Sequence, residues 1–232
     1  MKSGAAALGI RLSVSQIAVF EIYYRELIDW NQRINLTAIT DYEEVQAKHF
    51  LDSLTAVLAA DFNNQTVIDV GTGAGFPGLP LKIAFPHIRL TLLESTEKKT
   101  SFLNGLTKKL GLNDVEILTG RAEEFGRAEQ YRERFDIVIS RAVAALPVLV
   151  ELCLPFAVMG GMFIAYKKGD ISDEVAKAQN AVGILGGETP RLKSVANELL
   201  NDGRCLVKIK KIHPTPQQYP RRAGMPGKRP LL

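Results

Sequence analysis

The sequence predicts a doubly wound α/β domain with a mostly parallel sheet, preceded by a helical cap. Three observations predict it. From residue 66 onward, short β-rich runs alternate with stretches long enough for crossover helices, the pattern of βαβ units with right-handed connections. Several of these runs are continuously apolar rather than alternating, as strands covered on both faces require. The first run leads directly into a glycine-rich turn that opens a helix, Asp69-Val70-Gly71-Thr72-Gly73-Ala74-Gly75-Phe76-Pro77-Gly78.

Taken in order, residues 13–60 read as helical. Ser13-Val14-Ser15-Gln16 fits a capping box, and Ile17, Phe20, Tyr24, Leu27 and Ile28 follow at helical spacing. A second helical stretch runs from about Asp41 to Ala60. Between the two, Asn31 to Thr37 is polar enough for a loop or a helix end. The strands follow: TVIDV (66–70), IRLTLLE (88–94), VEILT (115–119), FDIVIS (135–140), MFIAYK (162–167) and CLVKIKKI (205–212). After Ile212 come five prolines, so the tail reads as irregular. These boundaries divide one domain into a helical cap (1–62), an α/β core (63–212) and a basic tail (213–232).

The chain of 232 residues, 46% hydrophobic and 23% charged, has the length and composition of one ordinary soluble domain. Its two cysteines, Cys153 and Cys205, lie far apart and make neither a disulfide framework nor a four-ligand zinc site. Both are expected reduced in apolar surroundings, and no metal is expected. The N-terminal run GAAALGI is too short for a secretory leader. The longest uncharged apolar run, between Glu151 and Lys167, is broken by Pro155 and Gly160-Gly161 and falls short of a membrane span. A cytoplasmic protein without a membrane partner is the expectation. The net charge of +4 conceals an asymmetry: from Lys208 to Leu232 there are seven Lys or Arg and no acid. A mildly acidic body thus carries a basic tail, which suits a polyanionic partner or a solvated terminus.

Three ligands compete for the glycine turn. A phosphate-cradling P-loop needs Lys where Leu79 stands. A dinucleotide site wants G-x-G-x-x-G, and its last position here is Phe76, which crowds a pyrophosphate. The observed D-x-G-x-G-x-G suits a phosphate-free ligand with a ribose and an amino-acid end, and S-adenosylmethionine is that ligand. A tight strand–helix turn with no ligand is the plain alternative. Glu94 closes the second strand 23 residues beyond Gly71, placed to accept from ribose hydroxyls. Glu123, after the third strand, either accepts from an adenine amine or serves as an acid in a helix's first turn.

The fourth strand ends Ile139-Ser140-Arg141-Ala142-Val143, beside the expected transfer centre. It lacks the Asn/Asp-Pro-Pro-aromatic run of exocyclic-amine methylation, and no nucleophilic cysteine stands near it. No acid–base pair stands out. Guanine N7 carries a lone pair and no proton, so its methylation needs no general base. Arg141 is a candidate donor to guanine O6, or else a contact to the cofactor.

At this point the chain resembles the bacterial small-subunit rRNA guanine-N7 methyltransferases, the RsmG or glucose-inhibited division protein B (GidB) family. The resemblance rests on N-x-x-x-N-L-T-A-I (Asn31 to Ile39), K-H-F-L-D-S-L (Lys48 to Leu54), V-I-D-V-G-T-G-A-G-F-P-G-L-P-L (Val67 to Leu81), R-A-E (Arg121 to Glu123), S-R-A-V (Ser140 to Val143) and Y-P-R-R-A-G-M-P-G-K-R-P-L (Tyr219 to Leu231). It implies a class I, Rossmann-like methyltransferase fold, a mostly parallel seven-stranded sheet with an N-terminal helical cap. It implies S-adenosylmethionine contacts at Gly71, Phe76, Glu94, Ser95, Thr96, Ala122, Glu123 and Arg141. It also implies a guanine of 16S rRNA as acceptor, giving 7-methylguanosine on naked rRNA, an assembly intermediate or the small ribosomal subunit. Asn35, His49 and Asp52, from the N-terminal signatures, are expected on the guanine side of the cleft. His49 and Asp52 are three apart and share a helix face, so they could pair. His49 and Arg141 are the candidates for any catalytic role. Arg221, Arg222, Lys228 and Arg229 are expected to meet RNA phosphates, giving a log-affinity slope against log salt of roughly −3 to −4. A monomer is the default. A methyltransferase with another acceptor, a non-catalytic RNA-binding or assembly factor, and a nicotinamide oxidoreductase are the competing readings.

Overall fold

The computed structural model describes residues 1–195 and 200–232. Seven strands form one sheet in the order β3-β2-β1-β4-β5-β7-β6. They are β1 (Thr66–Val70), β2 (Arg89–Glu94), β3 (Val115–Thr119), β4 (Phe135–Arg141), β5 (Ala157–Lys168), β6 (Arg191–Ser194) and β7 (Arg204–Lys210). The pairs from β3 to β5 are parallel; β7 lies antiparallel between β5 and β6. The central strands explain this. Val67, Ile68 and Val70 of β1 are all buried, as only a strand covered on both faces allows. The chain runs outward from β1 to β3, then reverses to β4 and β5 on the other side. The crevice at the carboxyl ends of β1 and β4 is therefore the switch point where α/β sheets bind ligands.

Two features differ from the expected elements. β6 was not anticipated: its four residues, RLKS, are all exposed, so an edge strand pairing only with β7 leaves no apolar alternation to read. The tail includes one short helix, Met225–Lys228.

The cap opens with a short helix, Lys2–Ala7, and continues in helix Val14–Asn31, whose capping box forms as its sequence predicts. Ser13 Oγ accepts from the Gln16 amide at 3.1 Å, and the Gln16 side chain accepts from the Ser13 amide at 2.8 Å. The Gln16 side-chain amide also donates to the carbonyls of Ile83 and Ala84, tying the cap to the helix Gly78–Ala84 that follows the glycine turn. Residues 42–58 then wind continuously, with the central Val45–Leu51 in π-helical form. Phe20, Tyr23, Leu27, Phe50 and Leu54 share one buried cluster with Val67, Leu79, Leu92 and Ile139 of the α/β core. Cap and sheet thus exclude water together, and burial of that apolar surface is what holds the cap over the crevice. A second cluster covers the other sheet face with helices Leu146–Cys153 and Ser172–Ile184.

The tail returns along this second face. Arg132 donates to the carbonyls of Thr215 and Tyr219, and Arg127 to Pro220. Lys211 is fully buried and donates to the Leu154 and Leu185 carbonyls; burial lowers its pKa to about 8. Among the described residues no helix is long and apolar enough to cross a membrane, and no His/Cys/Asp/Glu group is placed to hold a metal ion.

Candidate active site

The glycine turn leaves β1 with Gly71, Gly73 and Gly75 all at positive φ, +74°, +61° and +97°. Positive φ strains any residue with a Cβ. At Gly71 a Cβ would also stand 2.5 Å from a methyl of Val143. Two carboxylates brace the turn. Asp69, fully buried, accepts from Thr72 Oγ1 at 2.7 Å and from the Gly78 amide at 2.8 Å. Its other oxygen finds no partner, and burial pushes its pKa up to about 7. Glu94, at the end of β2, accepts from the amides of Gly73 (3.0 Å) and Thr96 (2.9 Å).

Two cavities meet at Gly71, which lines both. The larger, about 560 Å³, lies between the turn and the cap. The turn contributes Gly71 to Ala74 and Phe76; the cap contributes Thr37, Lys48, His49 and Asp52; strand ends contribute Glu94, Arg141, Tyr166 and Arg204. Lys99, Lys167 and Lys168 add further positive charge to its wall. The smaller, about 120 Å³, is enclosed by Leu93, Ser95, Ala122, Glu123, Val143 and Leu152.

Arg141, the last residue of β4, is the hub of the larger cavity. Its Nη1 meets Asp52 Oδ2 at 2.6 Å, and Arg204 Nη1 reaches the same oxygen at 2.9 Å. The Asp52 side chain is only 4% exposed, so two guanidiniums share one buried carboxylate. Arg141 also stands over the Phe76 ring, 5.1 Å from its centroid, a cation–π geometry. His49 stacks on the same ring at 4.6 Å, and its Nε2 lies 2.7 Å from Thr37 Oγ1. Asn31 fixes that loop by accepting from the Leu36 and Thr37 amides. Burial, then the charges of Arg141 and Arg204, lower the His49 pKa to about 3.

The expected residues separate into groups. Gly71, Phe76, Glu94, Arg141, His49 and Asp52 line the large cavity, and Ser95, Ala122 and Glu123 the small one. Phe76 is buried, stacked with Tyr23 as well as His49. Thr96 and Asn35 line neither cavity: Thr96 is an exposed residue at the start of a helix, and Asn35 is exposed beside Leu36 and Thr37, which do reach the cleft. The expected His49–Asp52 pair does not form. Its logic is α-helical, and these residues sit in and just after a π-helical turn, where the i,i+3 geometry no longer aligns side chains. Asp52 instead serves the two arginines. Arg221 does not present its charge outward: it grips the fully buried Glu151 with Nη2–Oε2 2.6 Å and Nε–Oε1 2.9 Å. Arg222, Lys228 and Arg229 are exposed. Sequence reasoning missed Arg204 and Thr37. Arg204 precedes the apolar run of β7, and only the antiparallel insertion of that strand beside β5 brings it to the cleft. Cys153 is buried on a core helix and burial raises its thiol pKa well above the usual value, consistent with packing rather than nucleophilic chemistry.

The residues present fit S-adenosylmethionine. The smaller cavity is a mostly apolar slot with one buried carboxylate, suited to an adenine and its amine. Glu94 retains lone pairs at the junction for ribose hydroxyls. The missing Cβ at Gly71, which lines both cavities, leaves room beside Val143. No Lys stands on the turn itself to hold a phosphate. A seven-stranded sheet with this site defines an S-adenosylmethionine-dependent methyltransferase of class I. Solved structures share the fold: a SAM-dependent methyltransferase from Aquifex aeolicus (TM-score 0.56, 17% identity, 74% of this chain and 94% of that one), and M. jannaschii TYW2 in complex with AdoMet (TM-score 0.57, 13% identity, 78% and 80%).

The family model for rRNA small subunit methyltransferase G, GidB, matches residues 16–201. Relatives named ribosomal RNA small subunit methyltransferase G include one from Dehalococcoides mccartyi, 53% identical over 229 residues and covering 99% of this chain and 97% of the relative. Another, from Desulforamulus reducens, is 47% identical over 232 residues, covering 100% and 97%. The chain belongs to the rRNA small subunit methyltransferase G family.

Proposed function

We propose that this enzyme transfers a methyl group from S-adenosylmethionine to N7 of a guanine in 16S rRNA, by in-line displacement with no general base. The cofactor supplies an electrophilic methyl on a sulfonium. The observation that supports N7 is that the acid–base groups around the large cavity are engaged elsewhere. His49 is a feeble base with a pKa near 3 and a ring nitrogen on Thr37. Asp52 is held by two arginines and Glu94 by two backbone amides. Tyr166 donates to the Ser53 carbonyl and Tyr23 to Ala74. A site whose acid–base groups are engaged by the protein itself suits an acceptor nitrogen that has no proton to give.

The residues then act by placement, which is worth up to about 7–11 kcal/mol in favourable cases. Glu123 and Ser95 hold the adenine end, Gly71 and Glu94 the ribose, and the cap closes the methionine end. Arg141 directs its free guanidinium donors toward guanine O6, since a grip on both O6 and N7 would block the reacting atom. The lysines of the cleft wall, with Arg222, Lys228 and Arg229, meet RNA phosphates. The same reading takes cap, core and tail as one domain, working as a cytoplasmic monomer on the small subunit or an assembly intermediate.

The test is transfer from methyl-labelled cofactor to unmodified small subunits and to deproteinised 16S rRNA, followed by borohydride–aniline cleavage at 7-methylguanosine. Cleavage at a single guanine is expected. Label that resists cleavage would overturn the assignment.

A further inference from the structure

We propose that the C-terminal tail serves the cofactor: the backbone amide of Gly224 is a positioning group that orients Glu123 in the adenosine end of the site. The proposal rests on the reading above that Glu123 faces the cofactor.

The geometry is a chain of anchors. Arg132 and Arg127 fix the carbonyls of Tyr219 and Pro220 at 2.7 and 2.6 Å. Arg221 is then locked to Glu151 through its side chain and, at 2.8 Å, its own backbone amide. Glu151 is fully buried on a core helix, so residue 221 is tied to the rigid part of the fold. Three residues on, the Gly224 amide donates to Glu123 Oε1 at 2.8 Å. Glu123 is 8% exposed and lines the small cavity. A buried carboxylate keeps one orientation only where a donor holds it. Among the described residues, the donor that reaches this one comes from the tail. With Oε1 held, Oε2 remains to accept from an adenine amine.

The position demands glycine for its backbone alone. Gly224 has φ +79°, and a Cβ there would meet nothing within 4 Å. Substitutions therefore probe conformation and the amide rather than packing. Proline removes the N–H and cannot adopt positive φ. Asparagine keeps the N–H and tolerates the left-handed region.

The experiment is calorimetric titration of the full-length protein with S-adenosylhomocysteine, without RNA. Gly224→Pro should weaken binding about tenfold, the low end for losing a hydrogen bond to a charged group. Gly224→Asn should bind within about twofold of the parent. In steady state Gly224→Pro should raise the KM for S-adenosylmethionine and leave kcat at saturating cofactor unchanged. In a Glu123→Ala background, Gly224→Pro should cost nothing further, because the group it positions is gone. Unchanged affinity in Gly224→Pro, or the same loss in both backgrounds, overturns the proposal. Should Gly224→Pro not fold, Gly224→Val, strained at this φ, carries the same cycle. Parent-like binding by Glu123→Ala alone would instead overturn the underlying reading of Glu123.

Discussion

His49 should make the protein lose stability on acidification, by an amount its surroundings set. Burial is the main cause of its lowered pKa, with Arg141 and Arg204 adding like-charge repulsion. The folded pKa is about 3 against an ordinary value of 6.5. Between those values the unfolded chain binds a proton that the native state refuses. The slope of stability with pH follows the difference in bound protons, so stability rises with pH across this window and falls as pH drops below about 6.5. At pH 5 the deficit is about 2 kcal/mol, since each pH unit below the unfolded pKa is worth about 1.4 kcal/mol.

Asp69 opposes it. Its folded pKa of about 7 stands above the ordinary 3.8, so the native state keeps a proton the unfolded chain has released, and that contribution is lost as pH rises from about 4 to 7. The wild-type curve alone is therefore flattened, and the comparison must be with His49→Gln, which keeps a polar group near Thr37. Urea unfolding of both proteins from pH 8 to pH 5 should show wild type losing about 2 kcal/mol relative to the variant, nearly all below pH 6.5. A difference that stays constant over that range would mean His49 titrates normally. The general-base alternative would then return, and with it an acid limb near pH 6.5 in kcat that His49→Gln abolishes.

Three further predictions concern the turn and the tail. Gly71→Ala should cost about 1–2 kcal/mol from the φ of +74° and weaken cofactor binding at least about tenfold, because its Cβ meets Val143; adding Val143→Ala should recover part of the affinity but not the stability, as titration calorimetry and thermal melts would show. Replacing Arg222, Lys228 and Arg229 together by Ala should flatten the slope of log RNA affinity against log salt by about 2, at roughly 0.7 per single-stranded phosphate contact. Arg221→Ala should instead lower the melting temperature by stranding the buried Glu151 carboxylate.

What could be read from the sequence was what short-range chemistry specifies. The capping box, the first three strands and the glycine turn appear in the structure where their residues place them, because each depends on near neighbours or on unambiguous apolar runs. The convergence of Arg141, Asp52 and Arg204 was not legible. It depends on a π-helical turn that rotates Asp52 away from His49, and on β7 entering antiparallel beside β5; neither leaves a periodic trace. The tail shows a related limit. Charge counting treats Arg221 and Arg222 alike, whereas only a three-dimensional partner, Glu151, 70 residues away, distinguishes an anchor from a free cation.

The arginine pair at the centre of the cleft also bears on which acceptor atom fits. Two carboxylates face three cations here: Arg141 and Arg204, 13% and 15% exposed, share Asp52, and Arg204 and Lys168 share Asp202, so the network carries net positive charge in a partly dehydrated site. Transfer to an exocyclic amine carries the sulfonium's charge onto that nitrogen and needs a base to take its proton, and a neutral base would gain positive charge against that field. Transfer to N7 moves the same charge a short distance onto the purine ring and calls for no proton transfer. The field that makes the amine route costly is thus nearly indifferent to the N7 route, while still attracting the RNA backbone.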